Sequence, residues 1–142
     1  MASTPSSKFI LIGEDDIDDQ EFLGEMIISI DPTYKLQFIT TGKKIISYLE
    51  ELDNNNLPNL IVLDYNMPEF NGVEILKKIS TIKRYALIPK ILWSTSNSSV
   101  LKAECLRLGA EDFIVKPSNL KALEEIVKYM LSFAKPYNDI SS

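Results

Sequence analysis

Polar side chains capable of chemistry stand where short apolar runs stop. Glu14 and Asp15 follow Phe9-Ile10-Leu11-Ile12-Gly13, and Asp64 follows Leu60-Ile61-Val62-Leu63. Ser94 follows Ile91-Leu92-Trp93, and Lys116 follows Phe113-Ile114-Val115. Runs of this kind read as strands buried on both faces, and in an open parallel α/β sheet the carboxyl ends of such strands open onto a crevice where ligands bind. The first, third, fourth and fifth strands can be neighbours in such a sheet, so these groups are expected to converge. Three carboxylates brought together repel, since a like-charge pair at about 4 Å costs roughly 4 kcal/mol at an effective dielectric of about 20. They need a cation.

The donors are all oxygens, with neither thiolate nor imidazole among them. That selects a hard divalent ion, and Mg²⁺ takes one or two carboxylates while keeping waters that a phosphate can displace. The charges of Glu14, Asp15 and Asp64 would then be balanced by Mg²⁺ and Lys116, leaving a neutral pocket able to accept a phosphoryl group. Asp64 is the candidate nucleophile, because a carboxylate can attack phosphorus to form an acyl phosphate, and phosphoryl transfer is catalysed mostly by positioning and charge neutralisation. Lys116 would pair with the transferred oxygens. Ser94 would donate its hydroxyl to one of them and drag the loop behind it, coupling chemistry to shape.

Bulk properties narrow the field. At 142 residues, the chain fits one domain with a sizeable core. No apolar run approaches the roughly 20 residues a membrane span requires. The opening MASTPSSK lacks the apolar segment of a secretory signal, and Cys105 is the one cysteine, so a cytoplasmic location is expected and no internal disulfide can form. A net charge of −5 with no Lys/Arg cluster argues against nucleic acid as a partner. The absence of histidine removes Ser-His-Asp catalysis, histidine zinc sites and any phosphohistidine carried by the chain itself.

The elements that must position these groups follow one another strictly. Apolar patterning predicts strands at 9–12, 35–39, 60–63, 90–93 and 111–115, and helices at 17–30, 42–52, 73–82, 100–108 and 120–133. Asp16 is a candidate cap for the first helix, Ser118 or Asn119 for the last, and Gly109 stops the fourth. Pro68 and Asn71-Gly72 force a turn behind Asp64. Residues 1–7 and 135–142 carry no periodic signal and are expected to be a disordered segment and a loose tail around a domain at 8–134. Alternation of strand and helix implies a parallel sheet, right-handed crossovers and helices on both faces.

Taken together, Glu14-Asp15-Asp16, Asp64-Tyr65-Asn66-Met67-Pro68 with Asn71-Gly72, Ser94, and Gly109-Ala110 leading to Lys116-Pro117 resemble the response-regulator receiver domains of two-component systems, of the stand-alone chemotaxis-receiver type. The resemblance covers about residues 9–133. It implies a doubly wound, flavodoxin-like fold with strand order 2-1-3-4-5, an order that the residues themselves do not dictate. It implies Asp64 as phosphoacceptor, with Mg²⁺ held by Asp15, Asp64 and the backbone carbonyl of Asn66, and Glu14 assisting through water. Ser94 and Phe113 fall at the switch hydroxyl and switch aromatic, and Asn66 and Ser96 at the two positions that tune phosphoryl lifetime. The bond before Pro117 is expected to be cis, aiming Lys116 into the site. The implied donor is a sensor histidine kinase or a phosphotransfer protein. The implied output is a protein target recognised by the fourth helix, fifth strand and fifth helix, about residues 98–133.

Three residues depart from the family's commoner choices. Glu14 stands in place of aspartate, and its extra methylene is expected to push the carboxylate outward. Phe113 in place of tyrosine leaves switching to packing alone, and Ser94 lacks the methyl group of threonine.

Blander readings stay open at this stage. The acidic triplet alone is equally a solvated loop with Asp16 as a helix cap, and Phe113 is equally a core residue. A pseudo-receiver that only binds partners is the alternative function. A flavin-phosphate binder on the same fold is disfavoured because Glu14 to Asp16 would repel the phosphate.

Overall fold

The computed structural model describes residues 8–135. The expected disordered segment 1–7 lies outside the described residues, as does the expected loose tail beyond Lys135. Lys135 itself is tied down: its N–H donates to Asn59 O at 3.1 Å, and its carbonyl accepts from Asn59 Nδ2 at 2.7 Å.

Five strands alternate with five helices: β1 (Phe9–Gly13), α1 (Ile17–Ile30), β2 (Lys35–Ile39), α2 (Gly42–Glu51), β3 (Leu60–Asp64), α3 (Gly72–Ser80), β4 (Lys90–Ser94), α4 (Ser99–Arg107), β5 (Asp112–Val115) and α5 (Leu120–Leu131). All four neighbouring pairs are parallel, and the order is β2-β1-β3-β4-β5. β3 and β4 are buried along their whole length. The two-residue period of a strand then sorts their side chains onto two cores. Leu11, Ile61, Leu63 and Leu92 pack with Ile45, Leu49, Ile75, Leu76 and Ile79 of α2 and α3. Ile10, Ile12, Val62 and Trp93 pack with Leu23, Ile27, Leu123 and Val127 of α1 and α5.

The caps follow the sequence closely. Asp16, Thr41, Asn71, Ser98 and Asn119 each accept a backbone N–H at the start of a helix, and Asn71 with Glu74 completes a reciprocal capping box. Gly109, at φ 99°, stands where a side chain would be strained. Two helices end two residues short of the periodicity. α3 stops at Ser80, and Lys83–Tyr85 form a short 3-10 turn that the apolar pattern did not reveal. α5 stops at Leu131 because Phe133 and Ala134 donate three residues back, to Met130 and Leu131, tightening the last turn.

This frame aims the loop behind β3 at the strand ends. Gly42 N–H donates to Pro68 O at 3.1 Å, and a Cβ built on Gly42 would meet Phe70 Cβ at 2.4 Å and Phe70 O at 2.6 Å. Gly72 N–H donates to Tyr65 O at 2.9 Å, closing the loop on its other side. Glu69 holds φ 74° within it, a left-handed conformation that is costly for a residue with a Cβ.

Candidate functional site

At the carboxyl edge of the sheet, one ammonium gathers three carboxylates. Lys116 Nζ donates to Asp19 Oδ2 at 2.7 Å, to Glu14 Oε1 at 2.9 Å and to Asp64 Oδ2 at 3.1 Å. The lysine is held there by its own backbone, whose N–H donates to Ser94 O at 2.8 Å and so keeps Lys116 beside the end of β4. Among the described residues no peptide bond is cis, which corrects the expectation for the bond before Pro117; Lys116 reaches the carboxylates across a trans bond. The ammonium also lies 5.0 Å from the centre of the Trp93 ring, a favourable cation–π distance.

Asp64 closes β3 and is buried, at 4% exposure. Both of its oxygens are engaged: Oδ1 accepts from Asn66 N–H at 3.1 Å and Oδ2 from Lys116. Asn66 therefore sits beside the Asp64 carboxylate, at the start of the loop that Gly42 and Gly72 brace.

Glu14 follows β1, with its N–H on Ile39 O at 3.0 Å and its carbonyl accepting from Gln20 Nε2 at 2.7 Å. Its side chain is fully buried, so the extra methylene carries the carboxylate into the crevice, not outward as expected. Burial, followed by the adjoining Asp64 carboxylate, pushes the Glu14 pKa up from 4.5 to about 8, against the opposing pull of Lys116. Burial also works against the Lys116 ammonium, but hydrogen bonds to Asp19 and Glu14 and the charges of Glu14 and Asp64 outweigh it and hold its pKa above the ordinary range.

Asp15 is exposed, and one oxygen from each of Glu14, Asp15 and Asp64 lies within 4.8 Å of the others. An all-oxygen set of two buried carboxylates and one open to solvent fits a hard divalent cation that keeps part of its water shell. Ser94 is fully buried, and its Oγ accepts from Ser96 N–H at 3.1 Å, which leaves the hydroxyl proton free to be donated. Phe113, 5% exposed, lies within the α2–α3–α4 core and pairs across the sheet with Leu92.

One member of the cluster was missed by sequence reasoning. Asp19 looks like an ordinary first-turn acid favoured by the helix dipole, yet it makes the shortest contact to Lys116. Its place in the first turn of α1, close behind the acidic triplet, was the available signal. Including it sets four acidic side chains against one ammonium, with Glu14 holding its proton below about pH 8 in the metal-free chain. Among the described residues, no helix is long and apolar enough to cross a membrane.

Comparisons with known proteins agree with this geometry. The family model of the response regulator receiver domain matches residues 10–128. Two-component response regulator ORR3 of Oryza sativa subsp. indica is 33% identical over 108 residues, covering 76% of this chain and 79% of that protein. Two-component response regulator ARR7 of Arabidopsis thaliana is 32% identical over 130 residues, covering 86% of this chain and 62% of that protein. The crystal structure of the phosphorylated cyanobacterial phytochrome response regulator RcpA aligns with a TM-score of 0.80 at 27% identity, over 92% of this chain and 98% of that one. The Mn²⁺-bound form of response regulator Rcp1 aligns with a TM-score of 0.78 at 28% identity, over 89% and 93%. With its strand order, its acidic crevice and its lysine accounted for, this chain belongs to the receiver-domain family of two-component response regulators.

Proposed function

We propose that the chain is a phosphoacceptor switch in which Asp64 takes a phosphoryl group from the phosphohistidine of a separate sensor kinase or phosphotransfer protein. The observation that carries this reading is the meeting of Lys116 Nζ with Asp64 Oδ2 at 3.1 Å beside the Glu14 and Asp15 oxygens. Mg²⁺, held by Glu14, Asp15, Asp64 and the backbone carbonyl of Asn66, would supply neutralising charge at the transferring phosphoryl group. The relatives support this: Rcp1 is described with Mn²⁺ bound, and RcpA as phosphorylated.

The chain's own residues divide the work. An Asp64 oxygen attacks phosphorus, the O–P bond forms as the P–N bond breaks, and the electron pair leaves with the donor imidazole, which takes up a proton. Lys116 follows the transferred oxygens as their counter-charge, because it already sits against the attacking carboxylate. Ser94 donates its free hydroxyl proton to one of those oxygens, and Ser96 and the start of α4 move with it. The return path is attack of water on phosphorus, which releases inorganic phosphate and restores the Asp64 carboxylate. The chain resets itself without turning over a substrate.

The output surface is the face of α4, β5 and α5. Val100 is 76% exposed there, with Val115 at 37% and Tyr129 at 43%, apolar area available for a protein target. Phe113, buried on β5 in the core that Cys105 of α4 shares, would couple this face to Ser94 by packing, without a phenol hydroxyl.

The test is incubation of wild type and Asp64→Asn with Mg²⁺ and beryllofluoride, followed by Trp93 emission. The wild type is expected to respond and Asp64→Asn is not. Equal responses would remove Asp64 from the acceptor role.

A further inference from the structure

Lys116 has three N–H bonds and spends one on each of Asp19, Glu14 and Asp64. To contact a phosphoryl oxygen it must release one of them. Glu14 and Asp64 also belong to the set whose oxygens can share a cation, whereas Asp19 does not. Asp19 is therefore the partner whose carboxylate has no other task in the crevice. Its geometry suits that role. Its own N–H is fixed by Asp16 Oδ1 at 3.0 Å, which holds the first turn of α1 rigid, and the Asp19 side chain is 34% exposed where that of Lys116 is 11% exposed.

We propose that Asp19 is a positioning residue that holds Lys116 in the unphosphorylated chain and competes with the phosphoryl oxygens for its ammonium, setting how tightly the phosphoryl group is retained. The inference rests on the phosphoacceptor reading. When the acyl phosphate forms, Lys116 is shared between α1 and the phosphoryl group, and the share taken by Asp19 weakens the hold on the phosphoryl group. Removing the Asp19 charge gives that share to the phosphoryl oxygens.

The experiment uses the full chain with Mg²⁺ and beryllofluoride as phosphoryl mimic, with binding followed by fluorine NMR. Four proteins are compared: wild type, Asp19→Asn, Asp19→Glu and Asp18→Asn. Asp18 lies on the same turn of α1 but forms neither an ion pair nor a hydrogen bond with Lys116, so its variant measures the general effect of losing one acid. Asp19→Asn is expected to bind the mimic about three- to tenfold more tightly, the size of one partly exposed charge-assisted hydrogen bond. Asp18→Asn is expected to change binding by at most about twofold, as a screened charge at longer range does. Asp19→Glu should return toward wild type, and the acyl phosphate on Asp19→Asn should hydrolyse more slowly. Asp19→Ser, also without a charge, repeats the test should the Asn variant fold poorly. Unchanged or weaker binding by the uncharged Asp19 variants, or an equal gain in Asp18→Asn, would overturn the proposal while leaving the acceptor role of Asp64 intact. Failure of the wild type itself to bind the mimic would overturn the phosphoacceptor reading and this inference with it.

Discussion

The Lys116 ammonium lies 5.0 Å from the centre of the Trp93 ring, although the two residues come from different strand ends. The pair joins the site to a spectroscopic signal, because Trp93 is the chain's one tryptophan and is buried at 2% exposure. Its indole N–H is a buried donor without a partner among the described residues, so the ring's surroundings are set by packing and by this cation.

Trp93 emission should therefore report the position of Lys116. Mg²⁺ or beryllofluoride is expected to change it in a saturable way, and Lys116→Met should remove most of the change. A full response in Lys116→Met would mean that the signal arises elsewhere.

Asp64→Asn should raise the melting temperature in metal-free buffer by about 2 to 4 °C, because one of the charged carboxylates in the acidic cluster is removed. Added Mg²⁺ should then stabilise the wild type, by mass action on the folded state, and the variant far less. A melting temperature that is unchanged or lower in metal-free buffer would count against repulsion within the cluster.

Two buried groups give the metal-free chain opposite responses to pH. Glu14 is raised from 4.5 to about 8 by burial and by Asp64, so between those values the folded state holds a proton that the unfolded state has lost. Stability should fall as pH rises through that window, and Glu14→Gln should flatten the slope. Lys90, whose Nζ is buried on the carbonyls of Tyr85 and Ile88, is lowered from 10.5 to about 8 by desolvation. Between about 8 and 10.5 the unfolded state holds the extra proton, so this group's contribution rises with pH. Mg²⁺ affinity should climb toward pH 8 as Glu14 ionises, since a carboxylate must lose its proton to bind metal. Calorimetric melting and Mg²⁺ titration from pH 5 to pH 10 test both signs.

Gly42→Ala should destabilise by about 1 to 3 kcal/mol, because the new Cβ would meet Phe70 and either the loop or α2 has to yield. The same loop carries Asn66, so Mg²⁺ binding should weaken alongside stability. A stability loss with unchanged Mg²⁺ affinity would show that the brace does not reach the site.

Much of this was legible in the chain itself. Leu60 to Leu63 and Ile91 to Trp93 read as buried strands because both faces of the sheet are covered, and the groups at their ends converge as parallel strands require. Asp16 and Gly109 read correctly, and Asn119 stood as one of two candidates, because caps are local chemistry. What escaped was set by tertiary contact. Asp19 has an ordinary helix-start identity, and only the reach of Lys116 across the crevice gives it a role. Lys90 has a surface residue's identity, yet Tyr85, at the end of the Lys83–Tyr85 turn, and Ile88 beyond it each offer its ammonium a carbonyl in the interior. Glu14 reaches inward because Lys116 and Asp16 N–H receive its carboxylate there, at 2.9 Å and 3.2 Å.

The central claim is tested most directly by intact mass and peptide mapping after incubation with acetyl phosphate. With Mg²⁺ present, the wild type should gain one phosphoryl group on the peptide containing Asp64, and neither the chelator-treated wild type nor Asp64→Asn should gain it. A modification that persists in Asp64→Asn, or that forms equally well without Mg²⁺, would contradict a metal-assisted phosphoacceptor at this site.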